Sequence, residues 1–159
     1  MKYYLLLGSN IGNSKSYIEK AKFMLAQVVG SDCSESAMYR TEPWGEKDQK
    51  FFLNQVVKME SELSPHSMMQ AIEKIEKLLG KRKETRYGPR TIDIDILLCD
   101  DLIVLDKKLS VPHPRMHKRA FTLIPLNEIA EDIVHPVLKK TIGKLLEECV
   151  DNSEVIKVQ

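Results

Sequence analysis

The chain has 159 residues, 43% of them hydrophobic and 30% charged, with a formal net charge of +1. That size suits one domain, residues 1–159, with a core of its own, and the balanced charge gives no reason to seek a nucleic-acid or membrane partner. The three cysteines, Cys33, Cys99 and Cys149, are odd in number, far apart and without a CxxC pair. They support neither a disulfide framework nor a zinc knuckle, and fit a reducing compartment.

The chain opens with MKYYLLLGSN, an apolar run too short for a signal-peptide core or a membrane span, so a cytoplasmic location is expected. Residues 2–7 read as a buried strand closed by Gly8-Ser9-Asn10. Asn13 or Ser14 can cap a helix that carries Ile18, Ala21, Leu25 and Val28 at helical spacing and stops at Gly30. A weakly patterned strand follows around Ala37-Met38-Tyr39, then a polar loop over 41–50 and a third strand over 51–60. The next helix has Ser64 as N-cap, Pro65 at its first position, Met68, Ile72, Ile75 and Leu79 as a core stripe, and Gly80 as its close.

Beyond it come KRKETR, a strand containing Asp93 and Asp95, a turn at Asp100-Asp101 and a short strand at 102–105. A loop at Pro112–Pro114 leads to a helix expected to break near Pro125, and Thr141 can cap a last helix through Leu145, Leu146 and Cys149. Strand, helix, strand, strand, helix, strand, followed by additions, is the ferredoxin-like βαββαβ plan. It predicts an α+β fold, a mostly antiparallel sheet with helices on one face.

The stretch RYGPRTIDIDILLCDD, residues 86–101, carries the chemistry. Alternate side chains of a strand share a face, so Asp93 and Asp95 point one way and Ile92, Ile94, Ile96 and Leu98 the other. Two carboxylates this close repel unless a hard cation or an arginine such as Arg90 joins them. Cations surround the pair: Lys81, Arg82, Lys83, Arg86 and Arg90 before it, His113, Arg115, His117, Lys118 and Arg119 after it. Basic clusters bracketing an acidic pair suit Mg²⁺ with a polyphosphate. Neither GxxxxGK[ST] nor GxGxxG occurs, which disfavours a P-loop ATPase and a Rossmann fold.

LGSNIG at 7–12, YRTEPWG at 39–45, FLNQVV at 52–57, GPRTIDIDILL at 88–98 and VPHPRMHKRAF at 111–121 follow one another along nearly the whole chain. In that order they resemble the 6-hydroxymethyl-7,8-dihydropterin pyrophosphokinases of folate biosynthesis. The resemblance implies transfer of the βγ-pyrophosphoryl group of ATP to the pterin hydroxymethyl oxygen, with release of AMP, on a ferredoxin-like fold. It implies two Mg²⁺ ions on Asp93 and Asp95. Arg90, Lys81, Lys83, His113 and Arg119 would contact the triphosphate, with Glu76 on the nucleotide side; Arg90, Asp95, Lys81 and Lys83 form the catalytic set. Phe52 and Phe121 would stack on the pterin, Asn54 would read its edge, and Thr41, Pro43 and Trp44 would complete the slot. The stretches 10–14, 41–50 and 81–87 are expected as lids.

Two features depart from the family pattern: Tyr87 stands where a Trp often precedes GPR, and Lys81 and Lys83 stand where many members carry Arg. Lysine keeps the charge but loses the planar fork. Two rival readings use the same residues: a two-metal nucleotidyltransferase, and a nucleic-acid-binding ferredoxin-like module. The first wants a GS pair just before the aspartates, and Gly8-Ser9 lies some eighty residues away. The second must contend with an acidic pair that repels a phosphate backbone.

Overall fold

The computed structural model describes residues 1–44, 48–81 and 90–158, apart from the side chains of Asp32 and Cys33. Strand β1 (Lys2–Ser9) enters helix α1 (Ser14–Val28), whose N-cap Asn13 accepts a hydrogen bond from the Ser16 N–H. The helix ends where the chain meets β4: a Cβ on Gly30 would lie 1.9 Å from the Glu60 carbonyl oxygen, so only glycine fits. Val28, expected in the core stripe of this helix, is 60% exposed. The buried position at this end of the helix is taken by its neighbour Val29.

Strand β2 (Ser31–Glu35), which the sequence pattern did not reveal, precedes β3 (Met38–Thr41) and β4 (Phe52–Glu60). Helix α2 (Pro65–Leu78) starts at Ser64, whose hydroxyl accepts from the Ser67 N–H, and presents Met68, Ile72 and Ile75 to the core. Strand β5 (Asp93–Cys99) follows, then the two-residue strands β6 (Val104–Leu105) and β7 (Ser110–Val111), which pair with each other. After a 3-10 turn at Met116–Lys118 come α3 (Ala120–Ala130), α4 (Ile142–Glu148) with Thr141 as N-cap, and strand β8 (Val155–Val158).

The main sheet runs β5-β1-β4-β3-β8, with β2 also pairing on β4, and every pairing is antiparallel. One face, with Tyr3, Leu5, Leu7, Ile94 and Ile96, packs on α1 and α2 through Ile18, Leu25, Met68, Ile72 and Ile75. The opposite face, with Tyr4, Leu6, Val56, Leu97 and Leu98, packs on α3 and α4 through Leu123, Leu126, Ile142 and Leu145. Burying each such aliphatic side chain is worth about 1.5–3 kcal/mol. The α+β, mostly antiparallel expectation holds. Helices, however, lie on both faces, the second face being covered by those that follow β5.

Two further expectations give way. The ladder between β1 and β5 shifts between Tyr4 and Leu5, so that Leu98 pairs with Tyr4 and turns to the α3 side, away from Ile94 and Ile96. Helix α3 also runs through Pro125, which is buried within the helix rather than ending it. Packing outweighs the one backbone bond that proline forfeits. Among the described residues, no helix is long and apolar enough to cross a membrane.

Candidate active site

Strand register places the functional side chains in rows on the face that α3 partly covers. Tyr39 pairs with Asn54, Asn54 with Gly8, and Gly8 with Asp93. One row along, Val56 pairs with Leu6 and Leu6 with Asp95, while Thr41 pairs with Phe52 at the other end. Directly opposed residues of antiparallel strands share a face. The two aspartates of β5, the amide and ring of β4 and the hydroxyl of β3 are thus brought onto one surface by pairing alone.

Two cavities meet at the aspartates, one on this surface and one around the edge strand β5 toward α2. One, of about 240 Å³, is lined by Thr41, Trp44, Phe52, Asn54, Phe121, Arg90 and Arg119 together with Asp93, Asp95 and His113. The other, of about 380 Å³, is lined by Ile72, Glu76, Lys81, Lys108, Ser110 and again Asp93, Asp95 and His113. The acidic pair and His113 form the wall that the two share.

The first cavity has an aromatic and amide character. Trp44 and Phe121 meet edge to face at 6.2 Å, and the Arg119 guanidinium lies 5.3 Å from the first ring and 5.5 Å from the second. Asn54 is buried; its Nδ2 donates to Thr41 Oγ1 at 2.7 Å, which fixes the amide orientation. Its Oδ1 lies over Gly8, where a Cβ would come within 2.5 Å of it. Gly8 therefore makes the space that the amide occupies.

The second cavity is polar and charged. Lys81 Nζ donates to Asp93 Oδ1 at 2.5 Å and to Glu76 Oε2 at 2.9 Å, and Glu76 Oε2 also accepts the Ile94 N–H at 2.9 Å. Burial tends to lower the Lys81 pKa, but Asp93 and Glu76 outweigh it and raise the ammonium above its usual range. Burial raises Glu76 despite the nearby lysine. Asp95 is pushed up to about 8, first by burial and then by Asp93 and Glu76, against Lys81 and Arg119. Burial also pulls His113 down to about 4, helped by Arg119 and Arg115, so the imidazole is neutral at physiological pH.

A buried residue that the sequence reading left out organises the wall at Arg90. Asn10 Oδ1 accepts the Arg90 N–H at 2.8 Å, and the backbone N–H groups of Asn10 and Ile11 both donate to the Arg90 carbonyl. Its Nδ2 donates to Gln49 Oε1 and the Lys50 carbonyl, joining the stretches after β1, before β4 and before β5. The signal was there in the GSN turn, but a turn asparagine ordinarily serves its own backbone.

The chain matches the model of a family described as 7,8-dihydro-6-hydroxymethylpterin-pyrophosphokinase (HPPK) over residues 4–131. It belongs to the HPPK family. Curated proteins named 2-amino-4-hydroxy-6-hydroxymethyldihydropteridine pyrophosphokinase are similar along most of their length. That of Methylorubrum extorquens is 46% identical over 132 residues, covering 82% of this chain and 84% of its own. That of Aquifex aeolicus is 41% identical, covering 87% and 86%. Among solved structures, wild-type Plasmodium falciparum HPPK-DHPS superposes with a TM-score of 0.77 at 19% identity, covering 92% of this chain and 44% of that one. This chain spans less than half of that longer protein, and the likeness shows a shared HPPK fold.

Every site residue expected from the sequence and described here lines one of the two cavities except Pro43, which is buried next to Trp44 in the chain. Lys83, and with it Arg86 and Tyr87, lies outside the described residues. Leu6, Glu42 and Arg115 line the first cavity without having been singled out for it.

Among the described residues, no group of three or more His, Cys, Asp or Glu is arranged as a metal centre. The acidic pair still fits a hard cation that completes its shell with water and phosphate oxygens. Burial, Asp93 and Glu76 disfavour a charge on Asp95 where it stands. A divalent cation would relieve that.

Proposed function

We infer that this HPPK-family chain transfers the βγ-pyrophosphoryl group of ATP to the hydroxymethyl oxygen of 6-hydroxymethyl-7,8-dihydropterin, a step of folate biosynthesis. The observation that carries this reading is the pair of cavities joined at Asp93, Asp95 and His113. A flat heteroaromatic with donor and acceptor edges suits the cavity of Phe52, Phe121, Trp44 and Asn54. A nucleotide phosphate tail suits the side with Lys81. The reacting oxygen and phosphorus then meet at the shared wall.

In the reaction, the hydroxymethyl oxygen bonds to the β-phosphorus while the bond from that phosphorus to the α,β-bridging oxygen breaks. AMP leaves with that oxygen, the product is the pterin diphosphate, and the hydroxyl proton is lost. Asp93 and Asp95 would hold Mg²⁺, two ions on the reading carried from the family, and the metal would neutralise phosphate charge. Asn54, held by Thr41, orients the ring, and Gly8 leaves it room. Arg119 bridges the two functions, its guanidinium over the aromatic wall and its charge near Asp95. Arg90, with its backbone clamped by Asn10, and Lys81 offer cations to the transferred phosphates, as does Lys83 in the same reading. Neutral His113 adds a hydrogen bond without adding charge.

The same reading takes residues 1–159 as one pyrophosphokinase domain on a ferredoxin-like frame with later additions, supported by the order β5-β1-β4-β3. It places the protein in the cytoplasm, supported by its unpaired thiols and metabolic family. The test is to incubate the protein with ATP, Mg²⁺ and the hydroxymethyl pterin and to identify the nucleotide product. AMP in step with pterin diphosphate is expected. ADP, or no turnover, overturns the reading.

A further inference from the structure

Helix α3 carries two parts of the aromatic cavity at its start, Arg119 and Phe121, and Arg119 occupies the N-cap position. An N-cap residue ordinarily uses its side chain to satisfy the first N–H groups of the helix. Arg119 cannot make such a bond, because a guanidinium has donors and no acceptor, and its side chain lies over the Trp44 and Phe121 rings. The helix is capped instead from 31 residues away: Asp151 Oδ2 accepts the Ala120 N–H at 2.8 Å. The other oxygen, Oδ1, accepts from the Ser153 N–H at 3.0 Å and the Ser153 hydroxyl at 2.6 Å, which locks the carboxylate in place. Burial works against its charge, yet Ser153, Ala120 and the nearby Trp44 side chain hold the carboxyl below its usual range.

The residues that follow tie down the opposite wall. Glu154 accepts the Glu42 N–H at 3.2 Å, and Glu42 Oε1 accepts the Glu154 N–H at 2.7 Å. Strand β8 then pairs along β3, with Val155 opposite Thr41. Thr41 holds Asn54, and Trp44 stands three residues on. One short segment, 151–158, therefore fastens both the α3 wall and the β3 wall of the same cavity. It lies beyond residues 4–131, where the chain matches the family model.

We propose that Asp151 is a positioning residue for the pterin site: by supplying the cap acceptor that Arg119 lacks, it fixes the start of α3, which carries Arg119 and Phe121, and, with β8, sets the spacing of the aromatic walls. The proposal rests on the pterin reading of this cavity. It predicts an unequal effect, since among the expected nucleotide contacts only Arg119 depends on this cap, the rest standing outside the two walls that segment 151–158 fastens.

The experiment compares wild type, Asp151→Ala and Asp151→Asn by titration with the pterin and, separately, with Mg²⁺ and a non-hydrolysable ATP analogue, alongside KM for each substrate. For Asp151→Ala, pterin Kd and KM rise about tenfold, the scale of a lost helix cap, while affinity for the analogue, which meets this wall through Arg119 alone, falls by no more than about threefold. Asp151→Asn keeps an oxygen for the Ala120 N–H and recovers to within about threefold of wild type. Unchanged pterin affinity, or equal weakening of both ligands, overturns the proposal; if Asp151→Ala does not fold, Ser153→Ala, which removes a donor that locks the Asp151 carboxylate, is judged by the same criterion. Should the wild-type chain bind no pterin, the functional reading fails separately. The positioning claim is then read from Trp44, the sole tryptophan. Its emission must shift in Asp151→Ala and stay near wild type in Asp151→Asn, which also lacks the charge; an unshifted spectrum, or an equal shift in both, overturns the claim.

Discussion

At the scale of single residues, the site is held in an unfavourable electrostatic state that a cation would relieve. Asp95 has a carboxyl pushed up to about 8 in the fold, against an ordinary value of 3.8. Between those two values the metal-free folded chain holds the proton more tightly than the unfolded chain does. This residue's contribution to stability therefore falls as pH rises through that window. Asp95→Asn removes the effect. In the presence of a chelator it should melt about 3 °C above wild type at pH 8, with the gap shrinking toward pH 5. Thermal scans across pH check this, and a gap independent of pH contradicts it. With Mg²⁺ and both substrates, the same variant should lose at least about a thousandfold in turnover, because the metal loses an anionic ligand. Gly8 makes a second, steric prediction. Gly8→Ala puts a methyl 2.5 Å from Asn54 Oδ1, so the amide must move. Pterin affinity should drop about tenfold, with ATP affinity unchanged, the cost of a displaced hydrogen-bonding group. Titration calorimetry with each ligand decides it.

At the scale of elements, local signals act where the sequence places them. Ser64→Ala removes the hydroxyl that accepts from the Ser67 N–H. It should cost about 1 kcal/mol, or about 2–4 °C in Tm, and leave kcat unaltered, since the cap is far from both cavities. Thermal melting and initial rates test both parts. Elements with strong local signals, β1, α1, α2, β4 and β5, were legible for this reason: caps, glycine stops and period are short-range. Others were not. Strand β2 reads SDCSE and β8 reads VIKV, and each becomes a strand through the partner it finds on β4 or β3. The shift that turns Leu98 over is set by the partner strand, which alternation within β5 alone does not reveal. Pro125 tells against a helix locally, yet the surface of α3 that it joins is buried against the sheet.

At the scale of the whole molecule, the site is a product of strand order. Residues from 8, 41, 54, 93 and 121 become neighbours because β5, β1, β4 and β3 lie side by side with α3 across them. The aspartate pair, the basic residues around it and the aromatic positions were readable from motif order, since each motif supplies its own side chains. What motifs do not carry is who holds whom. Asn10 clamping Arg90, Lys81 reaching Asp93, and Asp151 reaching Ala120 are long-range contacts that exist only after folding. The two cavities and their common wall are likewise a tertiary fact, and the account of function turns on that wall. The most direct measurement is a crystal structure of the chain with Mg²⁺, a non-hydrolysable ATP analogue and the hydroxymethyl pterin. The account predicts metal beside Asp93 and Asp95, phosphates toward Lys81 and the ring between Phe52 and Phe121; a nucleotide bound elsewhere, with no ion at the aspartates, would contradict it.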